Sequence, residues 1–166
     1  MTRPTPTAPD SRKLYDRLWR DSLRKGKEEL GDLEQAIEFL KSLPVLTSRS
    51  VIVEIGCGTG KLCEALYRVG YEHAVGADIA QRALSFGKNR YPYLSLLCMD
   101  GATLALRSGS VDICLSFDFV EHLADVDRHF REVCRVLVAE GIYLFQTPNR
   151  VTNPIIETIR WRGWRW

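Results

Sequence analysis

The stretch Val51-Ile52-Val53-Glu54-Ile55-Gly56-Cys57-Gly58-Thr59-Gly60 decides the fold of this chain. Four of its first five residues are Val or Ile, which suit a pleated, buried strand. Three glycines at alternate positions follow. Glycine turns tightly and leaves no Cβ in the way of a close approach. Leu62, Ala65, Leu66 and Val69 then recur at helical spacing, and Gly70 ends that run. The segment therefore reads as strand, glycine turn, helix.

Working outward, the same alternation repeats. His73 to Ala77 reads as a second strand ending at Asp78, and residues 80–90 as a helix. Leu94 to Met99 reads as a third strand ending at Asp100, and Val111 to Phe117 as a fourth, ending near Asp118. Val126, Phe130, Val133, Cys134 and Leu137 mark a long helix, and Ile142 to Gln146 a fifth strand. The strands show little period-2 alternation, as expected when both faces are covered. Strands alternating with helices predict an α/β fold, a doubly wound parallel sheet with helices on both faces.

Towards the N-terminus, residues 1–10 hold three prolines and are expected to be a disordered arm. Residues 11–45 are expected to form N-terminal helices. The first, over 11–28, is basic, with Leu14, Leu18 and Trp19 on its apolar stripe. The second carries Leu30, Leu33, Ile37 and Leu40 and runs to about Leu43, where Pro44 helps to stop it. Residues 46–150 form the expected core domain, and 151–166 an incomplete C-terminal segment.

Composition narrows the class. The chain has 166 residues, one domain by size, and a net charge of +2. That balance offers no global attraction to nucleic acid, so no nucleic-acid partner is expected. No apolar run approaches the ~20 residues of a membrane span. The five cysteines are odd in number and include no CxxC pair. This argues against a disulfide framework and a metal knuckle, and points to a reducing, cytoplasmic location. No metal ligand set is read in the sequence.

The chemistry is expected at the C-terminal ends of the strands, where such sheets bind ligands. Asp78 lies 18 residues after Gly60 and could accept both hydroxyl protons of a ribose. Asp100, followed by Gly101, could accept an amino proton of an adenine. From Val51 to Asn149 the chain resembles the class I S-adenosylmethionine-dependent methyltransferases, in their broad small-molecule subgroup. The motifs that carry the resemblance are VEIGCGTG at 53–60, GADIA at 76–80, CMDGATLAL at 98–106, VDICLSFDFVEHL at 111–123 and RVLVAEGIYLFQTPN at 135–149. One departure is Ala139-Glu140-Gly141, where the family usually has Pro-Gly-Gly or Glu-Gly-Gly.

The resemblance implies a Rossmann-like sheet of order 3-2-1-4-5 and S-adenosylmethionine as cofactor. It places Glu54, Gly56, Cys57, Gly58 and Gly60 around the methionine part. Asp78 would hold the ribose, with Ile79 against the adenine. Asp100 and Gly101 would flank the adenine edge, and Ser116 and Phe117 the sulfonium. A nicotinamide-binding domain fits less well. Its G-x-G-x-x-G needs glycine at position 61, which is Lys61, and Glu54 would repel a pyrophosphate while suiting a sulfonium cation.

Glu121 and His122, just past the fourth strand, are the candidate catalytic residues, His122 having the right ordinary pKa for a base. Their alternative role is to cap and pack the following turn. The expected acceptor is a small molecule with an O, N or C nucleophile. The family's fold continues after the fifth strand with a helix and an antiparallel strand hairpin, which the 166 residues leave out. The second function class is therefore a truncated cofactor- or partner-binding module without turnover. In that reading the fifth strand is an open edge for self-association, and the chain is marginally stable with little turnover.

Overall fold

The computed structural model describes residues 8–26, 33–44 and 46–147. Five parallel strands form one sheet in the order β3-β2-β1-β4-β5. They are β1 (Ile52–Ile55), β2 (Ala74–Asp78), β3 (Ser95–Cys98), β4 (Val111–Phe117) and β5 (Leu137–Gln146). The helices are α1 (Ala8–Arg24), α2 (Leu33–Ser42), α3 (Lys61–Arg68), α4 (Gln81–Arg90) and α5 (Val126–Val136), with a short 3-10 turn at Val120–His122. β1 pairs in parallel with both β2 and β4, so strand order reverses beside β1. That reversal opens a crevice at the strands' C-terminal ends. Among the described residues β5 pairs only with β4.

Neighbouring residues of β1 serve opposite faces. Val53 and Ile55 pack with Val111, Cys114 and the α5 residues Val133 and Val136. Ile52 packs with Leu40 of α2 and with Leu62 and Leu66 of α3. This two-sided burial is why β1 and β4 show no alternation. β3 differs from the expectation. It is an edge strand, with Leu96 buried while Ser95, Leu97 and Cys98 are exposed. An edge strand is open to water, so only Leu96 of the four is buried.

Other expectations change at the helices. The arm expected over 1–10 is already helical from Ala8, while residues 1–7 lie outside the described part. In α1 Trp19 of the expected stripe faces inward, but Leu14 and Leu18 are 46% and 50% exposed. Tyr15, Trp19 and Leu23, spaced four apart, face inward. Two aromatic rings bury more apolar area than two leucines, and that sets the rotation. The helix ends at Arg24 rather than 28. Its residues Arg12, Lys13, Arg17 and Arg24 form a solvated face, and Lys25 just beyond it is exposed too. α3 buries Leu62, Cys63 and Leu66 and leaves Val69 out, 39% exposed.

In α5 the inward face is His129, Val133 and Val136; Val126 and Cys134 are exposed and Leu137 opens β5. Two steps along β4, from Val111 to Ile113, span the five from Leu137 to Ile142 of β5. This irregularity holds Ala139-Glu140-Gly141, and Glu140 takes the left-handed conformation at φ 65°. The departure noted there is thus absorbed in a bulge. Residues 151–166 lie outside the described part.

The glycine turn is locked from outside as well. A Cβ on Gly87 of α4 would collide with the backbone carbonyl oxygen of Thr59. Alanine in a helix interior gains up to ~1 kcal/mol over glycine. A clash against backbone outweighs that. Gly87→Ala is expected to lower unfolding free energy by about 1–3 kcal/mol, as overpacking does. Urea denaturation of the two proteins measures it.

Candidate cofactor site

The site forms where β1 stops. Gly56, Gly58 and Gly60 all have positive φ, at 82°, 54° and 78°. Only glycine enters that region freely. The turn is tied to the next strand: the N–H groups of Gly56 and Cys57 both donate to the carbonyl of Ala77, at 2.8 and 3.1 Å. Gly58 N–H donates to one carboxylate oxygen of Asp78 at 2.8 Å, and Ala80 N–H to the other at 2.7 Å. Asp78 therefore braces the turn as well as facing the crevice.

Glu54 is 7% exposed and lies on the α3 side of β1. The Cys63 thiol donates to its carboxylate at 3.2 Å. Burial, with a smaller push from the Asp78 charge, raises the Glu54 carboxyl to about 7. Burial also raises Asp78 above the usual carboxylate range, against the opposing hydrogen bonds from the backbone of Ala80, Gly58 and Ile79. Two carboxyls held reluctant to ionise suit a ligand that brings positive charge. Cys57 and Cys63 are raised by burial as well, which makes both thiols poor nucleophiles. All five cysteines are unpaired.

Asp100 accepts from Ala102 N–H at 2.9 Å just past β3, and Gly101 is buried. Ser116 is fully buried within β4, and its hydroxyl lies 2.7 Å from that of Tyr143. Phe117 packs towards the α2 and α3 cluster, and Ile79 is half-buried. Glu121 and His122 lie together on the 3-10 turn, both exposed. Glu121 accepts from the Thr147 hydroxyl at 3.0 Å, and His122 meets the Tyr15 ring edge-on at 6.1 Å.

The glycines also fulfil a packing need that their spacing did not reveal. The space a Cβ would take on Gly56 belongs to Phe119, on Gly60 to Leu96, and on Gly58 to the Trp19 indole. So the space first assigned to a ligand is filled in part by the chain's own rings. α1 crosses the mouth of the crevice. Asp16 accepts from Arg82 N–H at 2.9 Å at the start of α4. Burial raises the Tyr15 phenol, and the charges of Asp78 and Glu121 add to that. Tyr15, Trp19 and His129 were not among the sequence candidates. The four-residue spacing of Tyr15 and Trp19, and a histidine on an apolar stripe with Val133 and Val136, were the available signals.

An open parallel sheet of order 3-2-1-4-5, with a glycine turn and acidic side chains at its switch point, defines a doubly wound cofactor-binding domain. Residues 53–145, more than half of the chain, match the methyltransferase domain family. A probable S-adenosylmethionine-dependent methyltransferase of Mycobacterium tuberculosis is 33% identical over 116 residues, covering 70% of this chain and 42% of that protein. A ubiquinone biosynthesis O-methyltransferase of Bartonella bacilliformis is 33% identical over 117 residues, 68% of this chain and 43% of that one. Other relatives of similar identity are named for tRNA and protein methylation. The solved structure of the [4+2]-cyclase SpnF aligns with a TM-score of 0.71 at 18% identity, over 87% of this chain and 61% of that one; it shares the fold. The chain belongs to the class I S-adenosylmethionine-dependent methyltransferases. It spans less than half the length of the curated relatives it matches first.

The raised carboxyl gives a signed pH dependence. The folded protein holds a proton on Glu54 up to about pH 7, whereas the unfolded chain releases it near the ordinary 4.5. Between those values the folded state binds more protons. The Glu54 contribution is therefore intact below pH 4.5 and lost as pH rises through 7. Glu54→Gln is expected to flatten this decline and to be more stable than the parent at pH 8, by about 1–3 kcal/mol. Chemical denaturation of both proteins across pH 5–8 checks it.

Proposed function

We propose that this chain is the cofactor-binding core of an enzyme that transfers the methyl group of S-adenosylmethionine to a small-molecule acceptor. The observation that supports it best is the glycine turn 56–60 set between the buried carboxyl of Glu54 and the half-buried carboxyl of Asp78. A cation near two carboxyls of raised pKa relieves the cost of ionising them. The sulfonium and amino groups of the cofactor are cations of the right kind. When bound, the cofactor supplies a methyl group already activated for displacement.

The residues of the chain do the remainder. Asp78 keeps lone pairs beyond its bonds from the backbone and accepts the ribose hydroxyls. Asp100 and Gly101 border the adenine, and Ile79 packs on it. Glu54 and the turn glycines hold the methionine end, and Ser116 and Phe117 stand near the reacting carbon. Such transfers need alignment and exclusion of water above all. Trp19 and Tyr15 of α1 contribute to that exclusion. An acceptor hydroxyl or amine must shed a proton, and His122, with Glu121 beside it, is the base available at the mouth. The ubiquinone-pathway relative acts as an O-methyltransferase by its name, which favours a small acceptor for this chain.

Asp78→Ala is expected to weaken binding of S-adenosylhomocysteine by ~1.5–3 kcal/mol, the scale of hydrogen bonds to a charged group. Titration calorimetry on folded protein measures it, and equal affinity in the variant would remove Asp78 from the ribose. For the reaction, transfer of labelled methyl is followed with phenolic and amine acceptors, tRNA and protein in parallel. Label on a small acceptor, with turnover cut at least tenfold by His122→Ala as for general-base catalysis, supports the proposal. Label only on tRNA or protein overturns the small-molecule acceptor, and normal turnover by His122→Ala removes the base.

A further inference from the structure

Below the crevice, between β4, β5 and α5, lies a polar chain inside an apolar core. His129 is fully buried on the inward face of α5. Its Nδ1 lies 2.7 Å from the carbonyl oxygen of Gly101, and its Nε2 2.7 Å from the Tyr143 hydroxyl. Tyr143 in turn lies 2.7 Å from the Ser116 hydroxyl, and Ser116 is fully buried too. The rings of Phe119, Phe130 and Tyr143 surround the imidazole at 5.5–5.6 Å. Burial holds His129 below its ordinary pKa, against a weaker opposing pull from the Gly101 carbonyl and Asp100. Burial lifts Tyr143 to about 12.

The partners assign every proton. A backbone carbonyl only accepts, so Nδ1 carries the hydrogen and donates to Gly101. In the neutral ring Nε2 is then bare and accepts from the Tyr143 O–H. The Tyr143 oxygen, its own proton committed, accepts from the Ser116 O–H. The chain runs Ser116 to Tyr143 to His129 in one direction, leaving the Ser116 oxygen an acceptor. Polar groups withdrawn among aromatics cost stability unless paired, and here the buried His129 and Ser116, the half-buried Tyr143 and the Gly101 carbonyl are each paired.

We propose that His129 and Tyr143 are positioning residues of the methyl-transfer site, joining the Gly101 carbonyl on one side of the crevice to the Ser116 hydroxyl on the other. This rests on the cofactor site proposed above, in which Gly101 borders the adenine and Ser116 the sulfonium. The pair sets the distance between those two walls and the direction of the Ser116 hydroxyl. It touches neither cofactor nor acceptor, and acts through the groups it holds.

The test uses the full chain and S-adenosylhomocysteine as probe. The protein has three histidines, so 15N-histidine labelling gives few signals, and the one absent from His129→Gln belongs to His129. That ring is expected as the Nδ1–H tautomer, and its Nε2 signal is expected to shift in Tyr143→Phe. Calorimetry is expected to show S-adenosylhomocysteine binding about tenfold weaker in Tyr143→Phe and in His129→Leu, a hydrogen-bond-sized loss. His129→Gln keeps an amide donor for Gly101 and a carbonyl acceptor for Tyr143, and is expected within about threefold of the parent. His129→Leu and His129→Gln decide the matter if Tyr143→Phe does not fold. Unchanged affinity in folded Tyr143→Phe or His129→Leu, or a His129 Nε2–H tautomer, overturns the positioning role alone. No binding by the parent chain overturns the cofactor reading and this proposal with it.

Discussion

The hydrogen bond from Gly58 N–H to Asp78 is the contact on which the site depends. It joins two βα turns that lie 20 residues apart in sequence and on adjacent strands. With the Ala77 carbonyl receiving Gly56 and Cys57, it draws the glycine turn onto the end of β2. The crevice exists because strand order reverses beside β1. Its floor has a definite shape because this turn is held from both ends. A carboxylate with two backbone donors is already oriented before any ligand arrives.

That bracing carries an electrostatic cost. The fold concentrates Glu54 and Asp78 at one spot and removes both from water, so each resists ionisation. A surface pair shows the opposite sign. On α5 the Arg135 guanidinium holds the Glu132 carboxyl down at about 2, and both side chains reach the backbone of Leu104. The molecule thus pairs its charges where it fastens a loop to a helix, and leaves strained acids beside the glycine turn. Such clustering of perturbed groups is a mark of a functional site.

Much of this was legible in the residue order. The β-branched run at 51–55, the glycines after it, and acids closing successive strands predict the sheet, its order by resemblance, and the turn. What escaped depends on tertiary packing. The stripe of α1 includes Trp19 as expected, but Leu14 and Leu18 satisfy helical spacing as well as Tyr15 and Leu23 do. Only the partner surface, Gly58 and the start of α4, distinguishes them. The order 3-2-1-4-5 puts β3 at an edge, but its apolar run Leu94 to Met99 does not tell which side chains face water. His129 was passed over because its partners, Gly101 and Tyr143, lie 28 residues before it and 14 after it. The glycine spacing was read as room for a ligand, while Phe119, Trp19 and Leu96 also press against those glycines.

The place of α1 has a consequence for how the molecule is made. Its helix is translated before the sheet, yet it docks on Gly58 and on the backbone of Arg82, 66 residues beyond Asp16. When α1 leaves the ribosome its landing surface has not been synthesised. A polar, basic helix can wait in water without aggregating, where a strongly apolar one could not. Closing so long a loop costs entropy, which favours a late arrival of α1 on an already formed sheet. The helix that precedes the sheet is thus the one that closes over its glycine turn last, and its composition suits the delay.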